Sequence, residues 1–309
     1  MIAKAPGKVV LSGSYAVLCG APALVAAVDR YAIADTSRPA ARSTPEIETA
    51  LAERPGHPPS PHIDAAALRS ADGEDRKLGL GSSAAILVAA LAALEMLEAG
   101  DLDDDSLQQR VFEPALRAHR AAQGGGSGID VVASTFGQLQ RCQLASDGSI
   151  DRRIAKLPTN IVIEIWSSRR AASTPEMLQR FWALRERKPA AFRDVVRDLS
   201  LGAEAAAEAS DASSFIDGCR TQLEALARLG DLAASPIVTP PVARLNEAAR
   251  RIDAVALPSG AGGGDIVLWM GTAPPDGHGL AVAAEAGLSR IPIALGARGA
   301  HCASSGARP

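Results

Sequence analysis

The chain has 309 residues, 47% hydrophobic and 22% charged, with a formal net charge of −3. That length suggests two domains, and that composition can bury a sizeable core. The near-balanced charge argues against a general nucleic-acid binder, which carries a basic surface, but leaves room for a local basic pocket around a small anion.

In chain order, Lys4 and Lys8 precede an apolar stretch, but Gly13, Ser14, Gly20 and Pro22 interrupt it, so it does not read as a secretory leader. Residues 9–11 and 24–26 are predicted as short strands joined by a Gly/Ser turn. Residues 38–75, rich in Pro and charge, read as loops with one short helix. The loop Lys77-Leu78-Gly79-Leu80-Gly81-Ser82-Ser83 then feeds a charge-free stretch, 84–94, with Ser82 or Ser83 as N-cap and Gly100 as stop. Apolar on all sides, this helix is expected at the centre of a domain, and 84–94 is too short to span a bilayer. A helix is predicted over 114–122, and strands over 137–144 and 160–166.

The second half is mostly helical. Ser173 or Thr174 caps a helix with Pro175 in its first turn and Glu176 placed for a capping box. Phe192, Val195, Val196 and Leu199 mark the apolar face of another. Phe215, Ile216, Cys219, Leu223 and Leu226 mark a third, stopped by Gly230, and Val242, Leu245, Ala249 and Ile252 a fourth. Strands at 266–270 and 291–295 flank an Ala-rich helix. The irregular mixture points to an α+β fold. Cys19, Cys142, Cys219 and Cys302 lie far apart, without metal-ligand spacing or a disulfide framework, and read as buried thiols of a cytoplasmic protein.

Three segments suit close approach of backbone to a charged ligand: Ala5-Pro6-Gly7-Lys8, Gly79-Leu80-Gly81-Ser82-Ser83, and Pro258-Ser259-Gly260-Ala261-Gly262-Gly263-Gly264-Asp265. A fourth, Gly124-Gly125-Gly126-Ser127-Gly128-Ile129-Asp130, brings a carboxylate. In the second, backbone N–H groups and the following helix converge on an anion, and the serine hydroxyls suit phosphate or a phosphate-bound cation. The same residues also suit an ordinary capped helix start. No Lys follows Gly81, so the Walker pattern fails. Gly79-x-Gly81-x-x-Ala84 matches a dinucleotide fingerprint formally, but residues 72–77 form no buried strand ahead of it.

Together these segments resemble the galactokinase–homoserine kinase–mevalonate kinase–phosphomevalonate kinase (GHMP) superfamily. Residues 5–18 resemble its first motif, 78–85 its ATP-phosphate loop and 259–265 its third motif, in the family's order. The details lean towards the phosphomevalonate branch: His119-Arg120-x-x-Gln123, Gly126-Ser127-Gly128-Ile129-Asp130-Val131, and Ser167-Ser168-Arg169-Arg170-Ala171-Ala172-Ser173-Thr174. Two positions depart from the family pattern. Ser14 stands where a Glu is common, and His119 stands where mevalonate kinases carry a Glu that helps hold Mg²⁺.

The resemblance implies two α+β domains, residues 1–156 binding ATP and 157–309 completing the acceptor cleft. The first would contain a left-handed βαβ crossover and the second a ferredoxin-like arrangement. It implies ATP and Mg²⁺ as cofactors and a small-molecule acceptor, most simply phosphomevalonate, in a cytoplasmic monomer or homodimer with no nucleic-acid or membrane partner. Lys8 and Asp130 become the catalytic pair. Lys77, Gly79, Leu80, Gly81, Ser82, Ser83 and Ala84 become the nucleotide loop, with Ser82 and Ser83 toward the metal. Ser127, Gly128, Arg169, Arg170, Ser173, Thr174, Gly262, Gly263 and Asp265 join Lys8 and Asp130 around the acceptor. An alcohol or sugar kinase related to mevalonate kinase is the alternative, and a non-catalytic nucleotide or metabolite binder a second.

Overall fold

The computed structural model describes residues 1–70, 76–100, 102–168 and 173–303. In chain order its elements are β1 (Ile2–Ser12), β2 (Ala23–Pro39), α1 (Pro45–Ala52), β3 (Pro61–Asp64), α2 (Ser82–Ala99), α3 (Asp104–Gln123), α4 (Ile129–Phe136), β4 (Leu139–Leu144), β5 (Ile150–Ile154) and β6 (Val162–Ser167). There follow α5 (Thr174–Arg187), α6 (Pro189–Ala207), α7 (Ala212–Ala233), α8 (Pro240–Arg250), β7 (Val255–Pro258), β8 (Ile266–Gly271), α9 (Gly277–Glu285), β9 (Ser289–Ile291) and β10 (His301–Cys302). The chain forms two compact units, both discontinuous in sequence. The first holds Met1–Val9, Val25–Gln140 and Ile293–Pro309, and the second Val10–Leu24 and Arg141–Pro292.

In the first unit the strand order is β10-β1-β2, with β3 also pairing antiparallel to β2. Helix α2 is the core element, packed against α1, α3 and α4. Its Leu87, Val88, Leu91, Leu94 and Met96 are buried, each worth about 1.5–3 kcal/mol. It is longer than the 84–94 stretch predicted, and by length and composition it could cross a membrane. The earlier argument from shortness therefore does not hold. Burial of 67% of the helix inside the fold is what identifies it as a core helix.

Its start differs from expectation too. Gly81, at φ 72° and ψ 39°, takes the N-cap position, and no side chain caps the helix. Ser82 and Ser83 lie in the first turn instead, with hydroxyls available to other partners. Helix α3 begins ten residues earlier than predicted. Asp103 caps it by accepting from the Ser106 N–H at 2.8 Å, and Asp104 and Asp105 suit the positive end of the helix dipole. Pro114, read as a helix start, sits in the interior. There the buried stripe Leu107, Val111, Ala115 and Ala118 outweighs its local cost. His119 lies on that same buried face.

The second unit carries an antiparallel sheet, β7-β8-β6-β9, in which Glu164 pairs with Trp269 and Trp166 with Arg290. Its helical part buries Phe181, Phe192, Val195, Leu199, Leu226 and Leu229 around Tyr15, whose ring centroid lies 5.1 Å from that of Phe181. Helix α7 runs through Gly230, the predicted stop. A Cβ there would lie 2.8 Å from the Ser235 carbonyl oxygen, so this glycine serves a close approach rather than a helix end. Ser173 is the N-cap of α5 but makes no side-chain capping bond, so the expected capping box is not formed. Strands β3 and β5 had no counterpart in the sequence reading. All four cysteines are free, but only Cys142 and Cys219 are buried; Cys19 and Cys302 are exposed.

Candidate active site

The site in the first unit begins with one backbone bond. The Lys8 N–H donates to the Leu80 carbonyl at 2.8 Å, laying the first glycine segment against the second. The Lys8 side chain then runs across Gly81, with its Cγ and Cε each 2.9 Å from where a Cβ would stand. Gly81 is thus fixed both by its left-handed backbone and by the lysine over it. Leu80 and Ala84 are fully buried, so their part in any ligand site is through the backbone, whereas Lys77 is exposed beside the loop.

A chain of polar side chains starts two residues further on. Gln123 Nε2 lies 3.2 Å from Ser83 Oγ and 3.3 Å from Glu46 Oε1 on α1. Ser83 Oγ lies 3.5 Å from His119 Nε2, and that nitrogen is 3.3 Å from Asp130 Oδ2. The second Asp130 oxygen, Oδ1, accepts from the Val131 N–H at 3.0 Å. Asp130 sits in the first turn of α4, whose N-cap is Gly128 at φ 76°, so the helix dipole favours its charge. Arg120 donates to the Ser127 carbonyl at 3.0 Å. Burial pulls its guanidinium below the ordinary value, and the charges of Glu113 and Asp130 oppose that shift. Lys8 and Asp130 are therefore tied to the same short loop, one through Gly81 and the other through His119 and Ser83.

In the second unit the first motif meets the third glycine loop. The Val10 N–H donates to Ser259 Oγ at 2.8 Å, and the Tyr15 hydroxyl donates to the Ala261 carbonyl at 2.7 Å. Burial pushes the Tyr15 phenol well above its ordinary range, so it stays a donor. Gly260, Gly262, Gly263 and Gly264 all have positive φ, and a Cβ on Gly262 would meet the Ile237 carbonyl oxygen at 2.5 Å. The Gly263 N–H donates to that same oxygen at 3.1 Å. The Ser168 N–H donates to the Asp265 carbonyl at 3.1 Å, and the Ser168 hydroxyl to the Gly264 carbonyl. Ser173 and Thr174 are exposed at the start of α5. Arg169 and Arg170 lie outside the described residues.

Three residues that sequence reasoning missed hold these loops. Glu46 orients Gln123, Tyr15 anchors Ala261, and Gln222 accepts from the Gly13 N–H at 2.7 Å while donating to Ser12 Oγ at 2.9 Å. Gln222 lies 210 residues from Ser12 and Glu46 lies 77 from Gln123, so no local pattern could have paired them.

For a divalent cation, no group of three His, Cys, Asp or Glu side chains converges among the described residues. Mg²⁺ keeps several waters and is commonly held by few protein oxygens plus substrate phosphates. The serine hydroxyls at the start of α2 fit that mode, a cation carried by the nucleotide rather than caged by the protein.

Known proteins resemble the chain along nearly its whole length. The family model of the GHMP kinases N terminal domain matches residues 65–138. The mevalonate kinase of Archaeoglobus fulgidus is 31% identical, over 87% of this chain and 92% of its own. The phosphomevalonate kinase of a Streptomyces strain is 29% identical, over 86% and 88%. In fold, the chain superposes on Streptococcus pneumoniae phosphomevalonate kinase, solved with phosphomevalonate and AMPPNP, at a TM-score of 0.68 and 20% identity over 96% of this chain and 99% of that one.

Proposed function

We propose that this chain, which belongs to the GHMP kinase family, transfers the γ-phosphoryl group of ATP to phosphomevalonate. Membership of a kinase family makes it an ATP-dependent phosphotransferase; the acceptor is the proposed part. The observation that carries the acceptor is the state of Asp130. One of its oxygens, Oδ1, already accepts the Val131 N–H at 3.0 Å, and the other, Oδ2, faces His119 Nε2 at 3.3 Å.

An alcohol acceptor must lose a proton as it attacks, which calls for a general base. A phosphate monoester is largely ionised near neutral pH and needs none. A carboxylate with one oxygen engaged and the other facing an imidazole suits the second task, orienting the acceptor and balancing charge. Phosphoryl transfer depends mainly on positioning and on stabilising the spreading negative charge. In this reading the Lys8 ammonium and the Arg120 guanidinium supply cations, and backbone N–H groups of the loop at 79–83 hold the nucleotide phosphates. When bound with the nucleotide, Mg²⁺ supplies further charge neutralisation. Residues 1–156 provide the nucleotide side. The acceptor-side roles that the family resemblance implies, for Ser127 and Gly128 in the first unit and for Ser173, Thr174, Gly262, Gly263 and Asp265 in the second, are part of this proposal.

Mevalonate is the second reading, favoured by the 31% identity to an archaeal mevalonate kinase. A coupled ADP-release assay over phosphomevalonate, mevalonate and a set of small alcohols and sugars separates the two. The highest kcat/KM is expected with phosphomevalonate. A higher value with mevalonate overturns the acceptor assignment, and nucleotide binding without turnover on any acceptor overturns the enzymatic reading.

A further inference from the structure

We infer that Gln222 is a positioning residue for the acceptor loop at 259–264, clamping a strained turn of the first motif that seats the Tyr15 hydroxyl against Ala261. Every residue of this relay lies in the second unit. The loop's acceptor-side role is itself part of the function proposed above, and Gln222 lies in none of the sequence motifs.

The strain is at Tyr15. Its backbone stands at φ 61° and ψ −42°, and the Ala16 N–H donates to the Ser14 carbonyl at 2.7 Å. That is a γ-turn of the rare hand, which a bulky L-residue enters only when its surroundings impose it. Here they impose it from three sides. The ring packs on Phe181, the hydroxyl donates to the Ala261 carbonyl, and Gln222 holds the residues just before the turn.

The orientation of the Gln222 amide is fixed at both ends. A backbone N–H only donates, so the atom 2.7 Å from the Gly13 nitrogen is Oε1. Carbonyls only accept, so the atom 3.1 Å from the Gly202 oxygen and 3.3 Å from that of Gly218 is Nε2. Ser12 Oγ stands 2.9 Å from the same nitrogen. Two glycines make room for this arrangement. A Cβ on Gly202 would lie 2.8 Å from Gln222 Cγ, and one on Gly218 would lie 2.6 Å from the Ala206 nitrogen. Helices α6 and α7 therefore close up only because both positions are bare. Gln222 is 2% exposed, so without these bonds its amide would be buried and unsatisfied.

The hold reaches the third glycine loop along two bonds. The Val10 N–H, just before Ser12, meets Ser259, and the Tyr15 hydroxyl, just after Gly13, meets Ala261. Gln222 thus grips the middle of a segment whose two ends hold the loop.

The test is steady-state ADP release from the full chain, with acceptor and ATP varied in turn and melting temperatures recorded. The acceptor is whichever member of the panel gives the highest kcat/KM. Gln222→Met fills similar space without the polar ends. It is expected to raise the acceptor KM about 3- to 10-fold, with the ATP KM within about twofold of wild type. Tyr15→Phe should raise it by a similar factor, and the double variant no further than the worse single one, because both act on one tie. Ala283→Gly, a fully buried change on α9, should lower the melting temperature and leave the acceptor KM unchanged.

A Gln222→Met enzyme with wild-type acceptor KM overturns the inference, and so does a double variant whose effect is the product of the two singles. An acceptor KM that rises with lost stability in Ala283→Gly too would mark Gln222 as structural only. Should Gln222→Met yield no folded chain, Gln222→Glu takes its place. It keeps an oxygen for the Gly13 N–H, so it should melt lower yet hold the wild-type acceptor KM, and a raised KM overturns the inference. Should neither fold, Tyr15→Phe decides alone, with an unchanged acceptor KM as the overturning result. A wild-type chain that turns over no acceptor sinks the proposed function and this inference together, while the preceding results sink this inference only.

Discussion

Replacing Gly81 by Ala, beside Gly56→Ala as a matched control, isolates what the loop does for Lys8. Both glycines hold left-handed backbone, at φ 72° and φ 74°, and both lie in the first unit. A Cβ in that region costs roughly 1–2 kcal/mol wherever it stands, a fall in melting temperature of about 2–8 °C for a domain of this size. At Gly56 nothing lies within 4 Å of the added methyl, so the backbone term is the whole effect. At Gly81 the methyl would stand 2.9 Å from both Lys8 Cγ and Cε. The lysine is flexible, so it moves aside at little further cost in stability. A displacement of about 1 Å in a reacting group, however, lowers the rate on the order of 100-fold. Thermal melts and steady-state ADP release on the same samples should show similar melting temperatures. The kcat should be reduced about 10- to 100-fold for Gly81→Ala only. Equal rates in the two variants, or a Gly81→Ala enzyme with wild-type kcat, would refute the placement of Lys8 on this loop as a catalytic feature.

Tyr15→Phe removes the hydroxyl from Ala261 but keeps the ring against Phe181. It should lower stability by about 0.5–1.5 kcal/mol and raise the acceptor KM several-fold, with the ATP KM within twofold of wild type. Asp130→Asn should cut kcat less with phosphomevalonate than with an alcohol acceptor, since only the alcohol must give up a proton; initial rates on both acceptors test this. Burial pushes the thiols of Cys142 and Cys219 up to about 12, and a thiol that is harder to ionise when folded binds its proton more tightly than in the unfolded chain. Stability should therefore be flat below the unfolded value near pH 9 and fall as pH rises from there towards 12, as followed by urea unfolding. In native samples near neutral pH, a thiol reagent should reach only Cys19 and Cys302.

What the sequence revealed and what it hid follow from the range of the interactions. Helix α2 was legible because an uncharged apolar run after Gly81 has few alternatives, and α6 because Phe192, Val195 and Leu199 repeat at helical spacing. The start of α3 was hidden because Pro114 reads locally as the first residue of a helix. The Asp103 cap is a local signal three residues long, but the buried stripe that carries the helix past Pro114 acts through tertiary packing. Gly7, Gly81 and Gly262 were legible as positions with little room for a Cβ, and the resemblance to known kinases gave Lys8 and Asp130 the catalytic roles proposed for them. The side chains that hold those loops were not legible. Glu46, Tyr15 and Gln222 are ordinary residues whose partners lie 77, 246 and 210 positions away. Nor could composition show that Ser82 and Ser83 are not the cap of α2, because that depends on Gly81 taking a left-handed conformation.

The histidine at 119 also bears on the charge of the acceptor. A glutamate in its place, as in the mevalonate kinase pattern, would set a second carboxylate beside Asp130 Oδ2, which now lies 3.3 Å from the imidazole nitrogen. Two carboxylates that close do not both stay ionised unless a cation stands between them. A neutral imidazole in that place brings no second negative charge to the contact. The exchange also leaves the site one negative charge poorer. An uncharged hydroxyl gains nothing from that relief, whereas a phosphate ester, which must approach the nucleotide phosphates as a second anion, gains most of it. The departure from the mevalonate kinase pattern at 119 is thus the one that the proposed phosphorylated acceptor would call for.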